Sequence, residues 1–372
     1  MKEVQETYLA ILRAALWGDE LRSECVNGLT GERLLKVIRL AAFHGTGPLV
    51  YDQLLKLQDL EIPADLRMQM KQQCVQSMML HQSMLSILSK AWHSLVNIGV
   101  HPVLLKGFAL AQYYPQPHLR QWGDIDLYVG ECNYYKACDA LREAFPGIEH
   151  TEHEEDNNRH YNFVFDNTVL ETHRVSAVFY HPRDRRYYKR LEAKNLTKEA
   201  PTIKMEGLVL KVPEDTFNVF YTFLHAWNHF VETGMNMKQL SDIAILLHNK
   251  RKAINVKQLH EMLFKLHLMD VWQLIMYIMV HYLGVIQDEC PFYTEKCGER
   301  AELLFEHIMS EGSSRLEKKL NTSGLSYLKR KWLTFQLRMA DSCLVRPYAP
   351  RYARHMVVSD ILHGLERFFA GK

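Results

Sequence analysis

The stretch "HLRQWGDIDLYVG", residues 118–130, places two carboxylates inside an otherwise apolar run. Side chains of a β-strand alternate between its two faces, so Asp124 and Asp126 point to the same side. Ile125 and Leu127 share the opposite face, where they can be buried. The sequence therefore predicts a strand that is anchored by its apolar face and carries two convergent carboxylates on the other face.

Two carboxylates at this spacing suit Mg²⁺, which takes oxygen ligands and keeps places for water and substrate phosphate. A solvated edge strand is the alternative, because Asp-x-Asp arises about once by chance in a chain of this composition. The preceding run "LLKGFALAQYY" (104–114) favours the metal site, since it predicts a strand ending at Lys106 and Gly107 and then a helix. Such a glycine and helix N-terminus can approach a phosphate. Lys106 adds a mobile positive charge, although a lone lysine here can also be a surface residue.

The regions on both sides of this core have apolar residues at helical spacing. Between them, short strand-like runs include "HYNFVFDNTVLETHRVS" (160–176), a hairpin with its turn at Asp166 and Asn167, and a last strand "IKMEGLVLKV" (203–212). We expect an α+β fold in which a small mixed β-sheet is flanked by two helical bundles. The expected regions are an N-terminal helical region (1–97), an α/β core (98–212) and a C-terminal helical region (213–372).

The composition is that of an ordinary globular protein, with 47% hydrophobic and 24% charged residues. Lys and Arg number 45 and Asp and Glu 43, so no overall field attracts nucleic acid or an anionic membrane. The seven cysteines lack the close pairs of a zinc site or redox dithiol, which favours a reducing cytoplasm. The most apolar stretch (271–286) contains Gln273 and His281 and is short for a bilayer span. We expect a cytoplasmic protein with neither membrane nor nucleic-acid partners.

Four runs resemble a known family: "LLKGFALAQYYPQPHLRQWGDIDLYV" (104–129), "LETH" (170–173), "LHAWNHF" (224–230) and "LSDIAILL" (240–247). Together they resemble a bacterial nucleotidyltransferase family of the DNA polymerase beta-like superfamily, over residues 30–285 and most strongly over 103–129. The resemblance implies two strand carboxylates and a third on a neighbouring strand, which bind two metal ions, Mg²⁺ or Mn²⁺. It also implies transfer of a nucleoside monophosphate from an NTP to a hydroxyl or phosphate of a small-molecule or protein acceptor.

Carried onto this chain, Gly107 matches the glycine of the superfamily's Gly-Ser turn, and Asp124 and Asp126 match its carboxylate pair. Phe108 stands where the wider superfamily has serine, which removes a hydroxyl that would contact phosphate. That departure motivates an alternative: a catalytically reduced nucleotide-binding or regulatory module with the same fold. Nucleic-acid polymerisation is a third reading, which the lack of a basic surplus disfavours.

Three acidic residues follow closely enough to be the third carboxylate: Glu143, Asp166 and Glu171. Glu143 belongs to a helical pattern expected to pack behind the sheet, and Asp166 suits turn geometry alone. Glu171 lies in an apolar strand, where an unpaired carboxylate costs several kcal/mol unless a cation or proton compensates it. We therefore predict Glu171 as the third metal ligand and catalytic carboxylate. Alternation places His173 on the same face, where it can contact phosphate or acceptor.

Several polar residues leave alternatives open. Arg120 can neutralise phosphate or pair with an aspartate and hold its loop. His225 and His229 have the spacing of two metal ligands on one helix face, although the apolar stripe around them favours hydrogen-bonded core histidines, and Asp242 can orient one of them. Residues 181–190 mix Arg and Tyr and could contact phosphate or RNA, but a solvated loop is the default. The residues predicted to bind the nucleotide are Lys106, Gly107, Arg120 and His173.

Overall fold

A computed structural model describes residues 2–150, 159–311 and 327–369 of the chain. The N-terminal helices are α1 (Lys2–Trp17), α2 (Gly31–Phe43), α3 (Gly47–Lys56) and α4 (Ala64–Asn97). The central elements are β1 (Val103–Leu105), α5 (Lys106–Ala111), β2 (Asp124–Tyr128), α6 (Tyr134–Ala144), β3 (Glu149–His150), β4 (His160–Phe165), β5 (Thr168–His173), α7 (Pro182–Asn195), β6 (Thr202–Met205) and β7 (Leu208–Lys211). The helices after them are α8 (Asp215–Glu232), α9 (Met237–Lys250), α10 (Val256–Lys265), α11 (Met269–Leu283), α12 (Gly298–Glu311), α13 (Tyr327–Val345) and α14 (Pro350–Phe369). Within these described ranges, none of the helices combines the length and the apolar character needed to cross a bilayer.

A five-stranded mixed sheet forms the centre of the fold, with the strand order β1-β2-β5-β4-β3. Strands β2 and β5 run parallel, and the other neighbours run antiparallel. The register places Asp126 beside Leu105 on one side and Glu171 on the other. The expected α+β fold, a mixed sheet flanked by helices, is confirmed.

The hairpin β4–β5 turns at the predicted residues, since Phe165 pairs with Thr168 across Asp166 and Asn167. The prediction of a single last strand is wrong, because residues 202–211 form a second hairpin, β6–β7. Its two turn residues, Glu206 and Gly207, both have positive φ (44° and 86°), as the favoured two-residue turns require.

The prediction of a solvated loop at residues 181–190 is also wrong. Helix α7 begins there, with Pro182 in its first turn and the His181 side chain accepting a hydrogen bond from the Arg183 backbone N–H. Proline suits this position because its missing N–H would have no partner within the helix. The buried apolar residue on the inward face of α7 is Tyr188. One such residue is too little to produce a helical pattern of apolar residues in the sequence.

Two hydrophobic clusters pack the molecule. One joins the N-terminal helices to the C-terminal ones and includes Tyr8 of α1 and Trp272 of α11. The other lies beneath the sheet and includes Leu127 of β2. Helix α4 enters both, through Met70 in the first and Leu88 in the second. The division into regions 1–97, 98–212 and 213–372 stays a prediction.

Candidate active site

Three carboxylates converge on one face of the sheet. Asp126 of β2 and Glu171 of β5 are direct neighbours in the parallel register, and Asp124 precedes Asp126 by two residues. The opposite face of β2 is buried, with Ile125 and Leu127 at 0% exposure. One carboxylate oxygen from each of the three acidic residues lies within 4.8 Å of the others. The structure thus brings together the carboxylate pair and the third carboxylate that the sequence singled out.

Two cationic side chains compensate these carboxylates. The ammonium Nζ of Lys106 lies 2.9 Å from Asp126 Oδ1 and 3.3 Å from Asp124 Oδ2. The imidazole Nε2 of His173 lies 2.8 Å from Asp126 Oδ1 and 3.2 Å from Glu171 Oε2. His173 therefore contacts the carboxylates directly, while its predicted contact with phosphate or acceptor stays a prediction.

The protonation states follow from burial and these pairs. Burial opposes charge on Asp124, but Lys106, together with weaker contributions from His225 and Lys238, holds the pKa of Asp124 well below its usual value. Burial likewise opposes ionisation of Glu171, yet the hydrogen bond from His173 lowers its pKa to about 2. Burial disfavours charged His173, but its hydrogen bonds to Asp126 and then Glu171 raise its pKa to about 9. Burial and the nearby Asp124 charge raise the pKa of Asp126.

One oxygen at the centre of this group has no partner. Asp126 is 1% exposed, and both Lys106 and His173 contact its Oδ1. Its Oδ2 is buried and accepts no hydrogen bond from the described residues. A buried acceptor left in this way costs about 1–3 kcal/mol, more when charged. A hard divalent cation takes oxygen ligands. The three carboxylates offer such ligands, one of them with an unsatisfied buried oxygen, so the residues present fit such an ion.

Lys106 is a buried residue, 7% exposed, so the alternative of a surface lysine is wrong. Its charge is also held by two aspartates rather than mobile. Its backbone has φ +38°, an uncommon conformation for a residue other than glycine. The next residue, Gly107, is needed for close approach: a Cβ there would lie 3.3 Å from Arg120 Nη2. The absence of a side chain at Gly107 thus leaves room for the guanidinium of Arg120. The predicted approach of Gly107 to a phosphate stays a prediction.

Arg120 forms a buried bidentate ion pair with Asp242 of α9. Its Nε donates to Asp242 Oδ1 and its Nη2 to Oδ2, both at 2.7 Å. The hydroxyl of Tyr114 donates to the same Oδ1 at 2.8 Å. The expectation that Asp242 orients His225 or His229 is corrected: packing of α9 against the segment before β2 directs its carboxylate to Arg120 and Tyr114. Of the two alternatives for Arg120, the structure shows the pair with an aspartate, and phosphate binding by Arg120 stays a prediction.

Sequence reasoning missed Lys238, which approaches the carboxylates from α9. A Cβ on Gly123, the residue before Asp124, would lie 3.5 Å from Lys238 Nζ, and one on Gly45 would lie 3.4 Å from Lys238 Cβ. The side chain thus passes between two glycines. Burial and then the charge of Arg120 lower the pKa of Lys238, with Asp124 opposing. Among the described residues its ammonium forms no ion pair, and no periodicity in the sequence marks it.

His225 and His229 of α8 also lie near the carboxylates. Both are half-buried, their ring centroids lie 4.4 Å apart, and His229 Nδ1 hydrogen-bonds Thr233 Oγ1 at 3.1 Å. Burial and then the Lys106 charge lower the pKa of both imidazoles, that of His229 to about 4. Both rings are therefore neutral at neutral pH. Each interacts electrostatically with Asp124, which places this helix face toward the carboxylates.

A profile of the family described as "Uncharacterised nucleotidyltransferase" matches residues 31–284 of the chain. The chain belongs to this family. The matched segment contains the three carboxylates, both of their cations, and the residues of α8 and α9 that face them. Comparison with curated proteins and with solved structures gave no match.

In this member of the nucleotidyltransferase family, Phe108 points away from the carboxylates and into the core. It is 1% exposed and packs against the rings of Trp122 and His81, with centroid distances of 5.1 and 5.5 Å. The position that the resemblance aligns with a serine therefore supplies packing here.

Proposed function

We propose that the chain is a Mg²⁺-dependent nucleotidyltransferase of the DNA polymerase beta-like superfamily. It moves a nucleoside monophosphate from an NTP to a hydroxyl or phosphate of a small molecule or protein. The observation that carries the proposal is the convergence of Asp124, Asp126 and Glu171 on one sheet face, with a buried oxygen of Asp126 unsatisfied. Membership of the nucleotidyltransferase family supports it independently.

In this reaction an acceptor oxygen forms a bond to the α-phosphorus, and the bond from that phosphorus to pyrophosphate breaks. Divalent cations held by the three carboxylates would lower the pKa of the attacking hydroxyl and stabilise the leaving pyrophosphate. Glu171, whose side chain is 18% exposed, is our candidate to take the hydroxyl proton, because Asp126 is 1% exposed and Asp124 is paired with Lys106. Lys106 and His173 keep the carboxylates ionised and close together.

Lys238 is our candidate for the cation that binds the triphosphate. Of the cations predicted to bind the nucleotide, Arg120 is occupied by Asp242, and Lys106 by the aspartate pair. Lys238 approaches the same carboxylates and forms no ion pair with any described residue, and an unpaired, desolvated ammonium attracts an anion strongly. The His229 ring interacts electrostatically with Lys238, and the neutral rings of His225 and His229 can each donate a hydrogen bond. In this arrangement the sheet supplies the metal ligands, and α8 and α9 supply the phosphate contacts.

The second candidate function is a nucleotide-binding or regulatory module that has lost turnover. Two observations favour it: Phe108 is buried where serine would contact phosphate, and Lys106 is paired with both aspartates of the metal site. Under this alternative the protein binds NTP with a divalent cation but transfers nothing.

A labelling assay separates the two functions. The purified protein is incubated with each α-³²P-labelled NTP, with MgCl₂ or MnCl₂, and with a cell lysate as the source of acceptors. We expect labelled products that require the metal and disappear in Asp124→Asn. The matched control is Asp139→Asn, which removes an exposed carboxylate of α6. Metal-dependent thermal stabilisation by an NTP without any labelled product would favour the binding module, and labelling unchanged in Asp124→Asn would contradict the proposed site.

A further inference from the structure

A second group of metal-binding side chains lies beside the three carboxylates, on the same face of the sheet. His160 of β4 is the cross-strand partner of His173 of β5, and Glu171 precedes His173 by two residues. One ligand atom of each lies within 4.8 Å of the others. A tetrahedral ion with bonds of ~2.1 Å separates its ligands by ~3.4 Å. Rotation of the side chains can cover that difference without moving the strands.

The donor atoms of this group differ in kind from those of the carboxylate group. Two imidazole nitrogens and one carboxylate oxygen suit transition-metal ions such as Zn²⁺, Mn²⁺ or Fe²⁺. Mg²⁺ prefers oxygen ligands throughout and is held poorly by imidazole. Two neighbouring sites of different metal preference therefore share Glu171.

His160 is the residue whose environment points to a ligand. It is half-buried, and its described contact is the packing of its ring on that of His173, with centroids 5.3 Å apart. Within the described chain its ring nitrogens form no hydrogen bond, and one of them lies within 4.8 Å of a carboxylate oxygen of Glu171.

His173 already contacts two carboxylates through one ring nitrogen. Its Nε2 lies 2.8 Å from Asp126 Oδ1 and 3.2 Å from Glu171 Oε2. A purely structural role, in which His173 only holds the two carboxylates together, accounts for His173 but gives His160 no function.

We propose that His160, Glu171 and His173 form a transition-metal site, separate from the Asp124–Asp126–Glu171 group and selective for Mn²⁺ or Zn²⁺ over Mg²⁺. This site goes beyond the proposed nucleotidyl transfer and is tested without any nucleotide. A positive result would make Glu171 the side chain that links the two sites.

Pulsed electron paramagnetic resonance of the full-length protein with one equivalent of Mn²⁺ tests the donor set directly. We expect ¹⁴N coupling typical of directly bound imidazole in the wild-type protein. The coupling should be lost or reduced in His160→Ala and in the less disruptive His160→Gln. The matched control is His101→Ala, which removes an exposed histidine before β1 and should leave the coupling unchanged. A wild-type spectrum without ¹⁴N coupling, or one that His160→Ala leaves unchanged, would overturn the proposal.

A second pair of measurements separates this site from the carboxylate group. In Asp124→Asn the nitrogen coupling should persist, because Asp124 is not one of the three ligands; its disappearance would overturn the separation of the two sites. By titration calorimetry, Zn²⁺ should bind His160→Ala at least tenfold more weakly than the wild type, and equal affinities would overturn the site. Labelling from NTP is scored separately: turnover without nitrogen coupling removes only this proposal, and coupling without turnover removes only the proposed function.

Discussion

Asp124 and Asp126 carry the same chemical group but lie in different environments. Asp126 is 1% exposed and contacts both Lys106 and His173, whereas the Asp124 side chain is 41% exposed and, within the described residues, forms an ion pair with Lys106 alone. Removal of one partner from a buried ion pair leaves an uncompensated charge and costs about 3–5 kcal/mol, while an exposed pair contributes about 1 kcal/mol or less.

Because Asp126→Asn leaves Lys106 paired with Asp124 and His173 paired with Glu171, we expect it to lower the free energy of unfolding by about 1–3 kcal/mol, the cost of its lost buried hydrogen bonds, and Asp124→Asn to lower it by about 1 kcal/mol or less. Both variants should lose nucleotide transfer on the order of 10³-fold, since metal binding supplies several kcal/mol of transition-state stabilisation. Urea unfolding and the labelling assay give the two quantities. Equal stabilities of the two variants would contradict the difference in burial.

Replacement of Lys238 tests the phosphate contact from α9. We expect Lys238→Met to weaken binding of NTP or of inorganic tripolyphosphate by roughly 10- to 100-fold, since a charge-assisted hydrogen bond contributes about 1.5–3 kcal/mol. Its stability should be unchanged or slightly higher, because an unpaired, half-buried ammonium is removed. Titration calorimetry measures the affinity. The control is Lys252→Met, which removes an exposed lysine just after α9. If both variants bind NTP equally weakly, the effect comes from the loss of one positive charge in general and the specific phosphate contact of Lys238 is contradicted.

At this site the sequence predicted features that depend on neighbouring residues and missed features that depend on contacts between residues distant in the chain. Alternation along one strand is local, so Asp124 and Asp126 could be placed on one face. Glu171 followed from the cost of an unpaired carboxylate in an apolar strand. The partner of Arg120 and the approach of Lys238 depend on how α9 packs against the segment before β2. No local pattern records that packing, and for this reason neither the choice of Asp242 as the partner of Arg120 nor the position of Lys238 was predicted.

At the scale of secondary-structure elements, the Arg120–Asp242 pair joins α9 to the segment that leads into β2. Both side chains are buried, at 4% and 6% exposure, and Tyr114 donates to the same carboxylate. We expect Asp242→Asn to lower the free energy of unfolding by about 3–5 kcal/mol. Urea denaturation measures this. The exposed pair Lys265–Glu261 on α10 supplies the control, since Glu261→Gln should change stability by no more than about 0.5 kcal/mol; a similar loss in both variants would contradict the burial argument.

The hairpins and helix α7 show where the sequence signals for turns and helices succeed and where they fail. Asp166 and Asn167 are strong turn formers, and the hairpin they predicted is present. The turn at Glu206 and Gly207 was missed because glutamate seldom takes a positive φ, and the apolar residues on both sides read as one continuous strand. Helix α7 was missed because its first residues are mostly charged, so no apolar stripe marks it.

At the scale of the whole molecule, helices from both ends of the chain share one hydrophobic cluster. The indole Nε1 of Trp17 in α1 donates to the backbone carbonyl of Leu283 at the end of α11, at 2.8 Å. The backbone N–H of Lys238 donates to the carbonyl of His44 at 3.1 Å. The N-terminal helices thus support the same end of α9 that carries the phosphate-binding candidate, an arrangement that the sequence pattern could not reveal because it depends on long-range packing.

His44 lies at this junction and makes the stability of the molecule sensitive to acid. It is 0% exposed, and burial lowers its pKa to about 4, with a backbone contact to Met309 opposing. Its ring lies against those of Tyr8 and Phe43, which bring no compensating negative charge. The folded protein therefore holds His44 neutral, while an unfolded chain protonates it near pH 6.5.

The sign of the pH dependence follows from these two pKa values. Above pH 6.5 the imidazole is neutral in both states and the stability is fully present; as the pH falls from 6.5 through 4, the unfolded state binds a proton first and stability is lost. The loss from this one residue should be about 3 kcal/mol. We expect His44→Gln to flatten the fall in unfolding free energy between pH 6.5 and 4, measured by urea denaturation at each pH, whereas His101→Ala should follow the wild-type curve. Other buried histidines contribute alike to both proteins, so parallel curves for wild type and His44→Gln would show that His44 is not the group that titrates.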